Sequence, residues 1–257
     1  MTYELTALST GYHVHGKVHV VARDITARLG EGRLTCLLGP NGAGKSTLLR
    51  TLAAFQPALQ GQMLLAGRQL ESYEPKELAK CIGVVLTERP DLGNMHVDEL
   101  IAMGRSPYTG FWGKLQDEDV KAVDEAIALV GIEPLRHRLA TTLSDGERQK
   151  VMIAKALAQQ TPVILLDEPT AFLDFPSKVE VLLLLRRLAH QMGKTIFLST
   201  HDLELALQTA DELWLMNKEY LEIGTPATLA ANGALSRFFS GPGITFDAGN
   251  LRFSISY

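Results

Sequence analysis

The segment "LLGPNGAGKSTLL" constrains the fold of this chain more than any other, because Gly39 to Ser46 fits the pattern G-x-x-x-x-G-K-[ST]. The apolar run "RLTCLL" precedes it and the helix-like segment "STLLRTLAAF" follows it, which is the strand, loop and helix order that the pattern requires. Glycines let successive backbone N–H groups curl around phosphate oxygens, and the helix N-terminus adds a partial positive charge. We therefore expect a phosphate-binding loop between a buried strand and a helix.

This loop predicts the contacts of a nucleotide and its metal ion. Lys45 is expected to reach the β- and γ-phosphates, and the hydroxyl of Ser46 to bind Mg²⁺. The remaining residues of the loop that we expect to bind ATP are Gly39, Pro40, Asn41, Gly42, Ala43, Gly44 and Thr47. The expected cofactors are therefore ATP and Mg²⁺.

A second apolar run, "PVILLDEP", ends on the adjacent acids Asp167 and Glu168. A buried strand would deliver both carboxylates to the edge of the sheet where a phosphate-bound metal lies. We expect Asp167 to hold Mg²⁺ through water. Glu168 is then placed to polarise the water that attacks the γ-phosphate.

The distribution of apolar residues predicts an α/β fold with a P-loop NTPase core. Short apolar runs such as "IGVVL" and "KTIFLST" alternate with longer segments of helical period, which is typical of a mainly parallel sheet covered by helices. Segments 3–28 and 61–70 alternate with period two instead, and indicate a small antiparallel sheet at the N-terminal side. Strand signals nearly vanish over 91–161, where we predict a helical subdomain inserted in the core. We assign 1–240 to a single domain and 241–257 to a C-terminal extension, read as a short hairpin or an appended strand.

Composition excludes several other classes of protein. The chain has 257 residues, of which 46% are hydrophobic and 21% charged, as in ordinary globular proteins. A formal net charge of −4 disfavours nucleic acid as a partner. No apolar run approaches the roughly 20 residues of a spanning helix, so we expect the chain to stay in the cytosol. Cys36 and Cys81 both lie in apolar runs and are expected to be buried thiols.

Three further motifs, "LSDGERQK", "AFLD" and "LSTHD", complete a resemblance to ATP-binding cassette ATPases that covers nearly everything except the tail. The resemblance implies that two copies pack head to tail, with each ATP between the phosphate loop of one copy and the signature loop of the other. Ser144 and Gly146 would then contact the partner's ATP, with Asp145 and Glu147 beside them in the signature loop. Asp174 would bridge the dimer.

The same resemblance implies two more contacts with the nucleotide. His201 would hold the γ-phosphate and the attacking water. Tyr12, in "STGYH", would stack on the adenine.

Two features depart from the family's pattern. Where the family places a glutamine that contacts Mg²⁺ and relays to the membrane partner, this chain has Thr87, whose shorter side chain we expect to reach the metal through a bridging water. The signature loop carries Asp145 and Glu147, whose charges would weaken closure on ATP although acids also stabilise the first turn of a helix.

Within the family, the stretch "GRSPYTGFWG" and the segment around it resemble the helical subdomain of importers for iron–siderophore complexes, haem and cobalamin. Its aromatic residues, Tyr108, Phe111 and Trp112, would either form a groove for a partner's helix or close the subdomain's own core.

The function that we predict is the ATPase subunit of such an importer, working as a homodimer on a separate membrane permease, with a substrate-binding protein as an indirect partner. The chain would lie peripherally on the inner face of the cell membrane. Two alternatives stay open at this point: a soluble cassette ATPase that acts as a scaffold or assembly factor, for instance in iron–sulfur cluster building, and the ATPase of an exporter.

A metal site formed by His13, His15 and His19 is a weaker alternative for the N-terminal segment. Alternation along one strand would place the three rings on one face. No Cys, Asp or Glu joins them at a spacing typical of metal ligands, which argues against the site.

Overall fold

The computed structural model describes residues 2–14, 16–87, 93–110, 113–239, 244–247 and 249–255. Within these ranges the strands are β1 Tyr3–Val14, β2 Lys17–Leu29, β3 Leu34–Leu38, β4 Gln60–Leu65, β5 Arg68–Gln69, β6 Ile82–Val85, β7 Val163–Leu166, β8 Thr195–Thr200, β9 Glu212–Met216, β10 Leu221–Gly224, β11 Ile244–Asp247 and β12 Arg252–Ile255. The α-helices are α1 Lys45–Leu52, α2 Pro75–Leu78, α3 Val97–Ala102, α4 Asp117–Val130, α5 Asp145–Ala158, α6 Phe175–Met192, α7 Leu203–Thr209, α8 Pro226–Ala231 and α9 Ala234–Phe238.

Among the described residues, the main sheet has six strands in the order β10-β9-β3-β8-β7-β6. Its strands from β9 to β6 are parallel to their neighbours, and β10 pairs antiparallel with β9. Strands β3, β7 and β8 are buried at every position, as a sheet covered on both faces requires. The predicted mainly parallel α/β core is confirmed.

The N-terminal segment forms the predicted antiparallel sheet, with the strand order β2-β1-β4-β5 in the described residues. Its apolar face packs on α1 and on one face of the main sheet, through side chains such as Leu5, Leu48 and Phe197. The hydroxyl of the buried Tyr3 donates to the carbonyl of Leu52 at 2.7 Å, which fixes this sheet to the end of α1.

The segment between β6 and β7 holds the predicted helices α3, α4 and α5, which pack with α6 and α7 against the other face of the main sheet. Acids fill the first turn of α4 and Gly131 ends it with a φ of 72°. Helix α5 begins at Asp145, because Ser144 caps its N-terminus. The start assigned to the subdomain at residue 91 lies outside the described residues.

The C-terminal residues form the hairpin β11–β12, in which Phe246 and Phe253 pack against each other and Phe253 against Phe239. The domain boundary that we assign between residues 240 and 241 lies outside the described residues, so both extents stay predictions. Among the described helices, none has the length and apolar character needed to cross a membrane.

Candidate active site

The site lies at one edge of the main sheet, where four parallel strands end. The phosphate loop follows β3, Thr87 follows β6, Asp167 and Glu168 follow β7, and His201 follows β8. Parallel strands bring their carboxyl ends to the same edge, so residues distant in sequence meet there. The register aligns these ends closely, since Leu38 of β3 pairs with Thr200 of β8.

Gly44 allows the phosphate loop to turn into α1. It has a φ of 102°, and a Cβ atom at this position would lie 1.7 Å from the Cγ1 atom of Val21. Both the backbone conformation and the close approach exclude other residues. The loop is therefore fixed against β2 as well as against β3.

The other residues of the loop surround this turn. Asn41 and Gly42 are exposed, whereas Ala43 is buried and its N–H donates to the carbonyl of Pro40 at 3.2 Å. The carbonyl of Thr47 accepts a hydrogen bond from Gln56, which stands beside the first turn of α1. The loop thus presents an open, glycine-rich surface at the start of a helix.

Lys45 is buried beneath this surface, with its ammonium group close to two catalytic candidates. Its Nζ atom donates to the carbonyls of Gly39 at 2.9 Å and Pro40 at 3.4 Å. It also lies 3.3 Å from His201 Nε2 and 3.9 Å from Glu168 Oε1. Burial lowers the pKa of Lys45, while the charges of Glu168 and Asp167 oppose that shift.

His201 and Glu168 form the shortest contact of this cluster, with Nε2 and Oε1 2.5 Å apart. The side chain of Glu168 is 26% exposed, so water reaches it. Glu168 has a φ of 48°, a left-handed conformation that is uncommon for residues other than glycine. Its N–H donates to Ser199 Oγ at 2.9 Å, which helps to hold this strained turn.

Asp167 has a different environment from its neighbour. It is 7% exposed, and its Oδ1 atom accepts hydrogen bonds from Ser46 Oγ at 3.2 Å and Ser199 Oγ at 2.7 Å. Ser199 was not among the predicted site residues. The signal that could have found it is a hydroxyl near the end of β8, in the strand adjacent to β7.

Thr87 lies beside these acids but its hydroxyl is already engaged. Its Oγ1 atom donates to the carbonyl of Asp167 at 2.7 Å. Since the single proton of the hydroxyl is used, Thr87 can only accept a further hydrogen bond, as from a water molecule.

The signature loop forms the N-terminal cap of α5. Ser144 Oγ accepts from the N–H of Glu147 at 3.3 Å, and the carboxylate of Glu147 accepts from the N–H of Ser144 at 2.8 Å. This reciprocal pair is a capping box. Arg138 donates to the other oxygen of Glu147 at 2.9 Å. The backbone hydrogen bond from Ser144 is the main cause that lowers the pKa of Glu147, so the acid at this position shapes the loop.

Ser144, Asp145, Gly146 and Asp174 line one cavity of about 330 Å³, which contains no residue of the phosphate loop. Asp174 caps α6 by accepting from the N–H of Ser177 at 3.2 Å. Hydrogen bonds from Ser177 lower the pKa of Asp174. In this cavity the signature-loop residues and Asp174 form a group separate from the cluster of Lys45, Glu168 and His201.

Tyr12 lies near the end of the β1–β2 hairpin, where its ring is 46% exposed and stacks on His19.

The expectation of three histidines along one strand is wrong, since a turn separates His13 in β1 from His19 in β2. His15 lies outside the described residues. No group of potential metal ligands that includes three or more His, Cys, Asp or Glu occurs in the described part of the chain.

The ring of Tyr108 contacts residues of the helical subdomain and also Lys80, which precedes it in the chain. The Arg105 guanidinium lies 3.8 Å from the ring centroid, the Lys80 ammonium lies 5.0 Å from it, and the hydroxyl donates to the carbonyl of Gln159 at 3.0 Å. Phe111 and Trp112 lie outside the described residues.

Of the two cysteines, Cys36 is buried and Cys81 half-buried, and burial raises the pKa of both thiols.

Comparison with known proteins supplies the family. The family described as ABC transporter matches residues 22–171, more than half of the chain, including the phosphate loop, the signature loop and the Asp167–Glu168 pair. The chain is an ATP-binding cassette ATPase. It is 44% identical to an uncharacterized ABC transporter ATP-binding protein of Methanocaldococcus jannaschii, over 85% of this chain and 74% of the relative.

Other relatives of this ATPase have names that state a transported compound. It is 36% identical to the ferric enterobactin transport ATP-binding protein of Escherichia coli, over 90% of this chain and 84% of the relative. It is 38% identical to the hemin import ATP-binding protein of Streptomyces coelicolor, over 93% of this chain and 85% of the relative. The resemblance to siderophore, haem and cobalamin importer subunits is confirmed.

Among solved structures, the ATPase is similar to one chain of an ABC transporter assigned to the metal-chelate type, in an inward-facing conformation. The TM-score is 0.81 at 26% sequence identity, over 99% of this chain and 96% of the other. The likeness extends over both sheets, the helical segment and the C-terminal hairpin, and it confirms the predicted fold class.

Proposed function

We propose that this ATPase drives an importer that takes up an iron–siderophore complex, haem or cobalamin through a separate membrane permease. The observation that carries the proposal is the similarity, over at least 90% of the chain, to ATP-binding proteins of ferric enterobactin transport and hemin import. The chain would lie on the inner face of the membrane, and a substrate-binding protein would be an indirect partner.

The site chemistry that we propose assigns different tasks to the two adjacent acids. Glu168 is the general base, since its carboxylate is accessible to water and lies beside His201. His201 and Lys45 hold the γ-phosphate, and the amides of the phosphate loop bind the remaining phosphate oxygens. The ammonium group of Lys45 has three donors, and it donates to the carbonyls of Gly39 and Pro40, so ATP would take the remaining donor or replace one of these carbonyls.

The residues beside the phosphate loop fit Mg²⁺. The Ser46 hydroxyl and the Asp167 carboxylate are oxygen donors within 3.2 Å of each other, and Mg²⁺ binds through a few carboxylates with phosphates and water. When bound, the ion neutralises charge on the β- and γ-phosphates. Thr87 would contact this ion through a water molecule. The hydroxyl of Thr87 would accept a hydrogen bond from that water, since its own proton is donated to the backbone carbonyl of Asp167.

The division of the site into two groups supports a head-to-tail homodimer. Ser144 and Gly146 line a cavity that the phosphate loop does not reach, so they would contact the ATP of a second copy. The hydroxyl of Ser144 accepts from Glu147 and keeps its proton for a phosphate oxygen. Asp174 lines the same cavity, which is consistent with a contact across the dimer.

A groove between α1, β6 and α5 supports a permease partner. It has a volume of about 370 Å³ and is lined mainly by apolar side chains, among them Leu78, Ile82 and the 59% exposed Phe55. Lys155 lies in the same groove, and burial lowers its pKa. A short apolar helix of the permease that carries a carboxylate would complement both features.

The importer proposal is tested by coexpressing the chain with its membrane permease and assaying Phe55→Glu. We expect this variant to keep its affinity for ATP but to lose copurification with the permease and transport. Tyr220→Glu, at another exposed aromatic residue, serves as the control. Copurification only with soluble partners would reject the importer and favour the scaffold alternative.

A further inference from the structure

The ring of Tyr12 stacks on the ring of His19 across the β1–β2 ladder. The two residues are direct partners in the register, their ring centroids are 5.6 Å apart, and the angle between the ring planes is 16°. This is the offset-stacked geometry that aromatic pairs prefer.

Tyr12 needs such support because of its place in the sheet. In the described part of the chain, the pairing of β1 with β4 ends at Ser9, so Tyr12 lies where β1 pairs with β2 alone. A two-stranded ribbon is marginally stable in water, and the Tyr12 ring is 46% exposed. Without a neighbour, this ring would occupy several rotamers.

The hairpin has a fixed position relative to the phosphate loop. Gln56 Nε2 donates to the carbonyl of Gly11 at 3.1 Å and to the carbonyl of Thr47 at 3.3 Å, which ties the residue before Tyr12 to the first turn of α1. Tyr12 therefore stands at a defined distance from the site of the phosphates.

The surroundings of Tyr12 differ from one side to the other. Tyr12 lines a cavity of about 610 Å³ together with Val18, Val20 and the segment 56–60, whereas His19 does not line it. His19 thus covers one part of the ring while another part borders open space. A cavity of this size accommodates the base of a nucleotide.

We propose that His19 is a positioning residue for ATP: its ring stacks behind Tyr12 and holds the phenol ring in the orientation that receives adenine. This inference rests on the proposed binding of ATP and on the expectation that Tyr12 stacks on its adenine. His19 contacts no phosphate and takes no part in hydrolysis.

The test measures equilibrium binding of ATP and of inorganic tripolyphosphate, which lacks the base, to the full chain without Mg²⁺. Because an aromatic pair contributes about 0.5–1.5 kcal/mol, His19→Ala should raise the Kd for ATP by about 2- to 13-fold. The Kd for tripolyphosphate should stay unchanged. His19→Phe should restore the affinity for ATP, since it restores the stacked ring, and kcat of the Mg²⁺-dependent reaction should stay at the wild-type value in both variants.

His137→Ala is the matched control, because it removes an exposed histidine of the helical subdomain, whose Nδ1 atom lies 3.3 Å from Asp98 Oδ2. An unchanged Kd for ATP in His19→Ala would overturn the inference. Equal weakening of ATP and tripolyphosphate would also overturn it, since that result indicates damage to the phosphate loop. The Kd values for ATP and for tripolyphosphate are measured without a permease. Failure of the importer proposal would therefore not affect this test.

Discussion

At the scale of single residues, Asp167 and Glu168 show how two adjacent acids acquire different roles. Asp167 is almost buried, and its carboxylate accepts hydrogen bonds from two serines. Glu168 is more accessible and faces His201 and Lys45. The left-handed backbone of Glu168 produces this separation, because it turns the chain sharply at the end of β7.

We therefore expect Glu168→Gln to abolish most of the ATPase activity while ATP still binds. Loss of a general base lowers kcat by about 10²- to 10⁴-fold. The amide preserves the size of the side chain, so an ATP-bound dimer should accumulate, and size-exclusion chromatography with ATP would detect it. Glu118→Gln, at an exposed residue in the first turn of α4, should hydrolyse ATP like the wild type. Wild-type turnover in Glu168→Gln would show that another group is the base.

The sequence predicts the residues of the site that follow a strand directly, Asp167 and His201, and the residues of the phosphate-loop pattern, among them Lys45. Lys45, Asp167 and His201 come together because parallel strands end at one edge, which the pattern of apolar runs already indicates. Ser199 and His19 could not be predicted in the same way. Their contacts depend on which strands are neighbours and on the register of the hairpin, and neither is encoded in a local spacing.

At the scale of elements, the acidic signature loop is the start of a helix. Glu147 closes the capping box with Ser144, and Arg138 neutralises its charge. An acid at this position is thus compatible with a loop that binds phosphate, because its carboxylate is occupied by a backbone N–H and by a guanidinium group. The sequence shows the acid, but the partner Arg138 lies nine residues away in a turn that no periodicity predicts.

Glu147→Ala should lower the free energy of unfolding by about 1 kcal/mol at pH 7, as loss of a helix cap does. Glu147→Gln should lower the free energy of unfolding by a smaller amount, since an amide also completes a capping box. The folded-state pKa of Glu147 is lowered, so its contribution is fully present above the ordinary pKa of glutamate and is lost as the pH falls through the lowered value. Urea unfolding from pH 7 downward measures this. If the difference in free energy of unfolding between the wild type and Glu147→Ala stays constant into the acid range, the ionised carboxylate of Glu147 is not what stabilises the cap.

The helical subdomain is held by a buried ion pair. Arg105 and Asp119 have side chains that are only 5% and 6% exposed, with Nε and Oδ1 2.8 Å apart. Arg105 also donates to the carbonyl of Ala158, and Asp119 accepts from the N–H of Gln116. Two residues of the motif "GRSPY" therefore have contacts within the chain, since the guanidinium group of Arg105 lies over the ring of Tyr108.

Asp119→Ala should destabilise the chain by about 3–5 kcal/mol, because it leaves a buried guanidinium group without its counter-ion. The double variant Arg105→Met with Asp119→Leu should recover part of this loss. Asp124→Ala is the control on the same helix, since its pair with Arg136 is exposed and contributes at most about 1 kcal/mol. If Asp119→Ala and Asp124→Ala lower the stability equally in thermal unfolding, the buried ion pair does not contribute more than the exposed one.

At the scale of the whole molecule, the residues expected to bind ATP lie on two separate surfaces. One surface carries the phosphate loop, the two acids and His201, and the other carries the signature loop and Asp174. The cavity lined by the signature loop and Asp174 has no residue of the phosphate loop in its lining. In the proposed head-to-tail dimer, closure of two copies would complete two sites at once, and we expect the charges on the second surface to influence how long the dimer lasts.

Asp145 is the residue through which this influence is tested. A carboxylate about 6 Å from a phosphate charge costs up to roughly 3 kcal/mol at an effective dielectric constant of about 20, and solvent and Mg²⁺ reduce this cost. Asp145→Asn keeps the shape of the side chain and removes its charge, so it should lengthen the lifetime of the ATP-bound dimer.

The lifetime is best measured in the Glu168→Gln background, where hydrolysis does not end the closed state, by dilution of a fluorescently labelled dimer. Asp117→Asn, which removes an acid from the first turn of α4 instead, should leave the lifetime unchanged. The effect of Asp145→Asn should decrease as salt increases, because exposed charges are screened over about 10 Å at 0.1 M ionic strength. Equal lifetimes with aspartate and asparagine at low salt would show that the acid of the signature loop does not control how long the two copies stay together.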